Sequence, residues 1–212
     1  MPGVRVITDS ACDLTEELAQ AGGITVVPLT IRFGSEELAD RRDLSPEEFW
    51  RRCRTSPALP ETAAPAPGAF RSAFEEAADA GADSVVCISI SSGVSATYQS
   101  ALAGAEAIGG RLPIQVVDSR SLTMGQGLLC MAAADLAAQG ADLDHVVSAV
   151  EDLAGRTRVM GVLGTLDHLQ RGGRIGGAAA LLGSLLSIKP VIEVRGGVVE
   201  EESKQRTRSR AL

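Results

Sequence analysis

The chain has 212 residues and a formal charge of −7, with 45% hydrophobic, 22% charged and 3% aromatic residues. At ~150 residues per domain, that length suits one large domain or one domain plus part of a second. The composition excludes a mainly disordered chain. No apolar run approaches the ~18 residues of a membrane span, and acidity with so few aromatics argues against a nucleic-acid partner.

Met1-Pro2-Gly3-Val4 runs straight into a strand-like pattern without a secretory signal, so a cytoplasmic protein with no stable membrane insertion is expected. Cys12, Cys53, Cys87 and Cys130 are far apart and form no C-x-x-C pair, and only His145 and His168 stand beside them. Reduced thiols are expected, with no metal site and no cofactor.

Val4 to Thr8 reads as a β-branched strand ending at Asp9-Ser10, followed by a helix from Leu14 to Ala21 with Asp13 as its N-cap and Glu16 three residues on. Ile24 to Phe33 predicts a second strand. Ser45-Pro46-Glu47-Glu48 opens a helix to about Arg54, with Ser as N-cap, Pro in the first turn and Glu at the capping-box position. Thr55 to Pro67 holds Pro57, Pro60, Pro65 and Pro67 and predicts an extended loop, after which Pro67 starts a helix to Ala80.

Ser84 to Ile90 is nearly all apolar, as in a strand covered on both faces. Ser91 to Ser95 is a polar loop before a helix from about Thr97 to Ile108, and Ile114 to Val117 is another buried-type strand ending in Asp118-Ser119. Helices follow over about Gly125–Ala138 and Leu143–Ala154. This alternation predicts an α/β fold, a Rossmann-like parallel sheet with helices on both faces, over residues 1–155.

Beyond Gly155 the pattern changes. Arg158 to Leu163 is strand-like, Ala178 to Leu186 a short apolar helix, and Ile188–Val194 with Val198–Glu202 a hairpin turned at Gly196-Gly197. Residues 156–212 therefore read as part of an α+β second domain, expected to be truncated, with a further helix beginning near Arg210.

Ligands of open parallel sheets bind outside the carboxyl ends of the strands. Asp9-Ser10, Ser89 to Ser95 and Asp118-Ser119 sit at three such ends, and with Thr62 they would make a hydroxyl-rich cleft. Each pair has a plainer reading as a cap of the next helix. Ser95 to Thr97 precedes a helix, where free N–H groups and the dipole attract an anion, and Ser92, Ser95 and Thr97 add hydroxyls. Ser95 as a simple N-cap is the alternative.

Gly93-Val94-Ser95-Ala96-Thr97 also approaches the G-x-S-x-G elbow of a serine esterase, but Thr97 replaces the last Gly and neither histidine offers an evident base. A phosphate loop is absent, and Gly125-Gln126-Gly127 leads to Cys130 where a dinucleotide fingerprint wants Gly or Ala. Arg171-Gly172-Gly173-Arg174-Ile175-Gly176-Gly177 joins two arginines able to grip an anion with glycines that permit close approach. It also reads as a connector between two short helices.

Taken together, these segments resemble the DegV family of bacterial fatty-acid-binding proteins, the acyl-carrying subunits of fatty acid kinase. The resemblance rests on Ile7-Thr8-Asp9-Ser10 with Asp13-Leu14, the loop Leu59 to Phe70, Ile90 to Ala101, Val117-Asp118-Ser119, Leu169 to Ile175, Ser187-Ile188-Lys189-Pro190 and Arg206-Thr207-Arg208. It implies a non-catalytic carrier that holds a long-chain fatty acid between two domains and presents its carboxylate to a separate kinase. The carboxylate is expected at Thr62 and Ser95, with Ser92 and Thr97 beside them. Asp9, Ser10, Asp118, Ser119, Arg171 and Arg174 are expected in support, and Arg206 or Arg208 toward the kinase. The family's T-S-Q-P-S loop reads Thr62-Ala63-Ala64-Pro65-Ala66 here, Ala96 stands where Gly is usual, and neither His145 nor His168 matches the family's ligand-contacting histidine. A serine esterase using Ser95 and a small-anion binder are the rival readings.

Overall fold

The computed structural model describes residues 3–56, 59–184 and 189–211. In chain order they form β1 (Val4–Asp9), a 3-10 turn (Ser10–Cys12), α1 (Glu16–Ala21), β2 (Thr25–Val27), β3 (Thr30–Phe33), β4 (Glu36–Ala39), α2 (Pro46–Thr55) and β5 (Glu61–Ala63). Then come α3 (Pro67–Asp79), β6 (Ser84–Ser89), α4 (Thr97–Glu106), β7 (Ile114–Asp118), α5 (Thr123–Ala138) and α6 (Leu143–Arg156). The last are β8 (Val159–Val162), α7 (Asp167–Arg171), a 3-10 segment (Gly176–Ser184), β9 (Lys189–Arg195), β10 (Val198–Gln205) and α8 (Arg208–Ala211).

A parallel sheet in the order β2-β1-β6-β7 forms the centre. Every residue of β6 is buried, because alternate side chains feed opposite faces and both are covered. On one face Val6, Val86 and Ile88 pack against Leu129, Cys130 and Ala133 of α5 and Val146 and Val150 of α6. On the other, Ile7, Val85 and Cys87 meet Phe70 and Phe74 of α3 and Ala101 of α4. The helices α3 and α4 approach so closely at Gly104 that a Cβ there would lie 2.8 Å from the Cβ of Phe70.

Two smaller antiparallel sheets flank this core, β4-β3-β5 and β10-β9-β8. The second packs Val199 on Leu166, Ala178 and Leu181, a separate apolar cluster. Its β9–β10 connection is a two-residue turn with Gly196 at φ 58° and Gly197 at φ 87°. Positive φ at both central positions is the mirror-type turn that suits the twist of a hairpin.

Several expectations need correction. Ile24 to Phe33 is two strands in different sheets: Pro28 lacks a ladder N–H, and the Leu29 N–H donates instead to Ser10 Oγ at 3.0 Å. The supposed loop 55–67 contains β5, paired with β3. The apolar segment after Gly176 is 3-10 rather than α-helical, and Leu185, Leu186 and Ile188 lie outside the described residues. The cap of α1 is Thr15, whose Oγ1 accepts from Leu18 N. Asp13 instead sits at φ 58° and pairs with Arg41 at 2.7 Å. Thr15→Ala is therefore expected to lower unfolding free energy by about 1 kcal/mol in urea titration.

Candidate functional site

The chain leaves β1 toward β2 on one side and enters β6 on the other, so the strand order reverses between β1 and β6. Outside their carboxyl ends such a reversal opens a crevice. Asp9, fully buried, stands at that point. Its Oδ1 accepts from Ala11 N at 3.1 Å, and its Oδ2 from Ile90 N at 2.8 Å and Gln126 Nε2 at 3.1 Å. Burial outweighs these donors and pushes the Asp9 carboxyl up to about 6. Gln126 Nε2 also donates to Thr8 Oγ1 at 2.9 Å, while its Oε1 is buried without a partner. The same burial raises the Cys12 thiol to about 11 and the Cys130 thiol further, so neither is a ready nucleophile.

Beyond β6 the chain folds into a tight polar loop. Ser91 N donates to Ser121 O at 2.9 Å, and Val94 N and Ser95 N both donate to Ser91 O at 3.2 Å. Ser92 gives its N–H to Asp118 Oδ1 at 3.2 Å and its hydroxyl to Asp118 Oδ2 at 2.5 Å. Ser95 Oγ lies 2.8 Å from Thr97 Oγ1 and accepts from Thr97 N at 3.3 Å. Thr97 is buried, whereas Ser95 is half-buried at the mouth of the loop. Ser119 is buried, with its Oγ donating to Ser121 O at 3.1 Å, and Ser10 Oγ holds Leu29 as described.

The β9–β10 turn and the segment after α7 dock on this loop. Ser91 Oγ donates to Gly197 O at 2.6 Å and accepts from Gly93 N at 3.1 Å. Arg174 Nε donates to Val94 O at 3.2 Å and its Nη1 to Gly172 O at 2.6 Å. The structure thus brings Asp9, Ser92, Ser95, Thr97, Asp118, Ser119 and Arg174 around one loop.

Thr62 is exposed on β5 opposite Ile31. Its segment reaches α4 through Ser100 Oγ, which donates to Pro65 O. Arg171 is exposed at the end of α7. Arg206 and Arg208 are exposed at the far end of β10, about 25 Å along the strand from the docked turn.

Sequence reasoning did not single out Gln126 for this network, although it is polar in a helical stretch otherwise built of small and apolar residues. Ser91 and Gly197 as the docking pair left no local signal. A concavity of about 450 Å³ lies elsewhere, at the amino end of β1, between the ends of α1 and α5. Among the described residues no three His, Cys, Asp or Glu side chains are placed to hold a metal ion, and no helix is long and apolar enough to cross a membrane.

A family model described as an uncharacterised protein of the DegV family matches residues 3–212. The chain belongs to the DegV family. A DegV domain-containing protein of Deinococcus radiodurans is 38% identical over 209 residues, covering 99% of this chain and 73% of its relative. Among solved structures, a fatty-acid-binding DegV family protein of Thermus thermophilus superimposes with a TM-score of 0.91 at 34% identity, covering 99% of this chain and 74% of that one. A stearic-acid-binding protein of Eubacterium ventriosum gives 0.89 at 31%, covering 98% and 72%. Bacillus subtilis DegV, a fatty acid binding protein, gives 0.89 at 30%, covering 99% and 74%.

Placing the loop in a DegV protein sharpens the rival readings. Among the described residues, Ser95 Oγ has the Thr97 hydroxyl and no imidazole as its side-chain hydrogen-bond partner, unlike the serine–histidine pair of an esterase.

Proposed function

We propose that this protein binds a long-chain fatty acid between residues 1–155 and residues 156–212, and presents the carboxylate to a separate fatty acid kinase as a non-catalytic carrier. The observation that carries the reading is the whole-chain likeness to a DegV protein that binds fatty acid, at 34% identity and a TM-score of 0.91. The Ser95 loop supplies matching chemistry, with a half-buried hydroxyl in front of the first turn of α4. Each buried CH₂ contributes about 0.8 kcal/mol, so a long tail supplies over ~10 kcal/mol before ordering costs. The hydroxyls contribute less and set which end faces the kinase. In this reading Thr62 closes on the carboxylate from the β5 side, Ser92 and Thr97 support Ser95, and Arg206 and Arg208 contact the kinase.

Ser95→Ala and Thr62→Ala should each weaken palmitate binding about tenfold or more, the worth of a hydrogen bond to a charged group. Fluorescent fatty-acid displacement measures this, and native mass spectrometry with lipid extraction identifies the resident acyl chain. Binding of palmitate by both variants at wild-type strength places the carboxylate elsewhere. Purified protein that carries and takes up no fatty acid ends the proposal.

A further inference from the structure

We infer that Asp9 is a positioning residue for the fatty-acid site: its ionised carboxylate clamps the Ser91–Thr97 loop to the end of the sheet. The inference rests on the fatty-acid reading above. The backbone N–H groups of residues 93–95 all donate back to Ser91, so the place of Ser95 depends in large part on how residues 90–92 are tied down. Four ties to other segments do so: Ile90 N to Asp9, Ser91 N to Ser121 O, Ser91 Oγ to Gly197 O, and Ser92 to Asp118. Only the first is made by a fully buried carboxylate. Asp118 is half-buried and shares its Oδ1 with Arg120 N.

Burial works against the Asp9 anion, and the hydrogen-bond donors around it work for it. Ala11, Ile90 and Gln126 present N–H donors to both oxygens, and Gln126 does so while leaving its own Oε1 unpaired. A protonated carboxyl has one oxygen that donates, and facing only donors it forfeits a bond. The titratable neighbours are the buried thiols Cys12 on the 3-10 turn, Cys87 on β6 and Cys130 on α5. Burial raises all three above the usual thiol value, so none of them carries a charge at neutral pH. Protonation of Asp9 therefore loosens Ile90 and, with it, the hydroxyl loop.

The test is binding of dodecyl sulfonate, whose head group stays anionic, from pH 5 to 8, alongside palmitate at pH 7.5. Wild type should lose about tenfold in affinity toward pH 5, one charge-assisted hydrogen bond. Asp9→Asn should start about tenfold weaker and show a flat profile. Gln126→Met, which removes one donor to the anion, should move the midpoint upward. Amide exchange at Ile90 should quicken at least tenfold in Asp9→Asn with or without ligand. A flat wild-type profile, or an Asn variant with wild-type titration and unchanged Ile90 exchange, overturns the inference. Absence of binding to palmitate and sulfonate alike removes the fatty-acid reading instead, and Ile90 exchange then decides the clamp alone.

Discussion

Gly93→Val should abolish fatty-acid binding, with at least a hundredfold loss in palmitate affinity, while the parallel sheet stays folded. A Cβ at residue 93 would lie 2.7 Å from Gly197 O and 2.9 Å from Val198 Cγ1. Those distances are well inside ordinary contact, and the nearest obstructing atom, Gly197 O, belongs to the backbone of the turn and cannot rotate aside. The β9–β10 turn must therefore lift, breaking the 2.6 Å bond between Ser91 Oγ and Gly197 O. In the proposed reading, the fatty-acid site between residues 1–155 and 156–212 loses one wall. Gly93 itself lies outside both apolar clusters that cover the parallel sheet, so urea titration should show the main transition within about 1 kcal/mol of wild type. Palmitate displacement on the same sample reads the binding loss.

The second large effect is in the pH dependence of stability. Asp9 has an ordinary carboxyl value of 3.8 when unfolded and about 6 when folded, so the native state holds the extra proton between those values. Unfolding free energy contributed by Asp9 is then complete below pH ~4 and declines as pH rises through 6, by about 3 kcal/mol in all. Glu193 works with the opposite sign. Hydrogen bonds from Arg158 and Arg195 hold its carboxyl near 2, so its contribution is present above ~4.5 and fades only as pH falls toward 2. The two windows barely overlap. Urea titrations of wild type against Asp9→Asn should therefore diverge between pH 4 and 6.5 and run parallel above that. Curves parallel throughout would show that Asp9 titrates alike in both states.

How much of this was legible in the sequence varied with the physics of each segment. Ser84 to Ile90 announced itself because a strand covered on both faces leaves no polar position, and β6 is buried throughout. Ser45-Pro46-Glu48 was equally plain, because a cap is satisfied within one turn, and Ser45 Oγ accepts from Glu48 N. Capping chemistry failed at Asp13, where the matching spacing to Glu16 was real but Arg41, 28 residues on, claimed the carboxylate. β4 was missed because Glu36 and Glu37 are exposed on a short strand, which carries no alternating pattern. For the site, Asp9, Ser92, Ser95 and Asp118 were readable as strand-end polar groups. Their convergence follows from the parallel pairing of β1, β6 and β7. Gln126 and the Ser91–Gly197 contact join segments 117 and 106 residues apart, and nothing local encodes such distances.

The hairpin carries one more consequence. Its turn is bonded to the serine loop, and α8 sits at the other end, against β9 and β10. The span between them is about 25 Å of paired strand. α8 and the serine loop are thus joined through one paired ribbon rather than through a flexible tether.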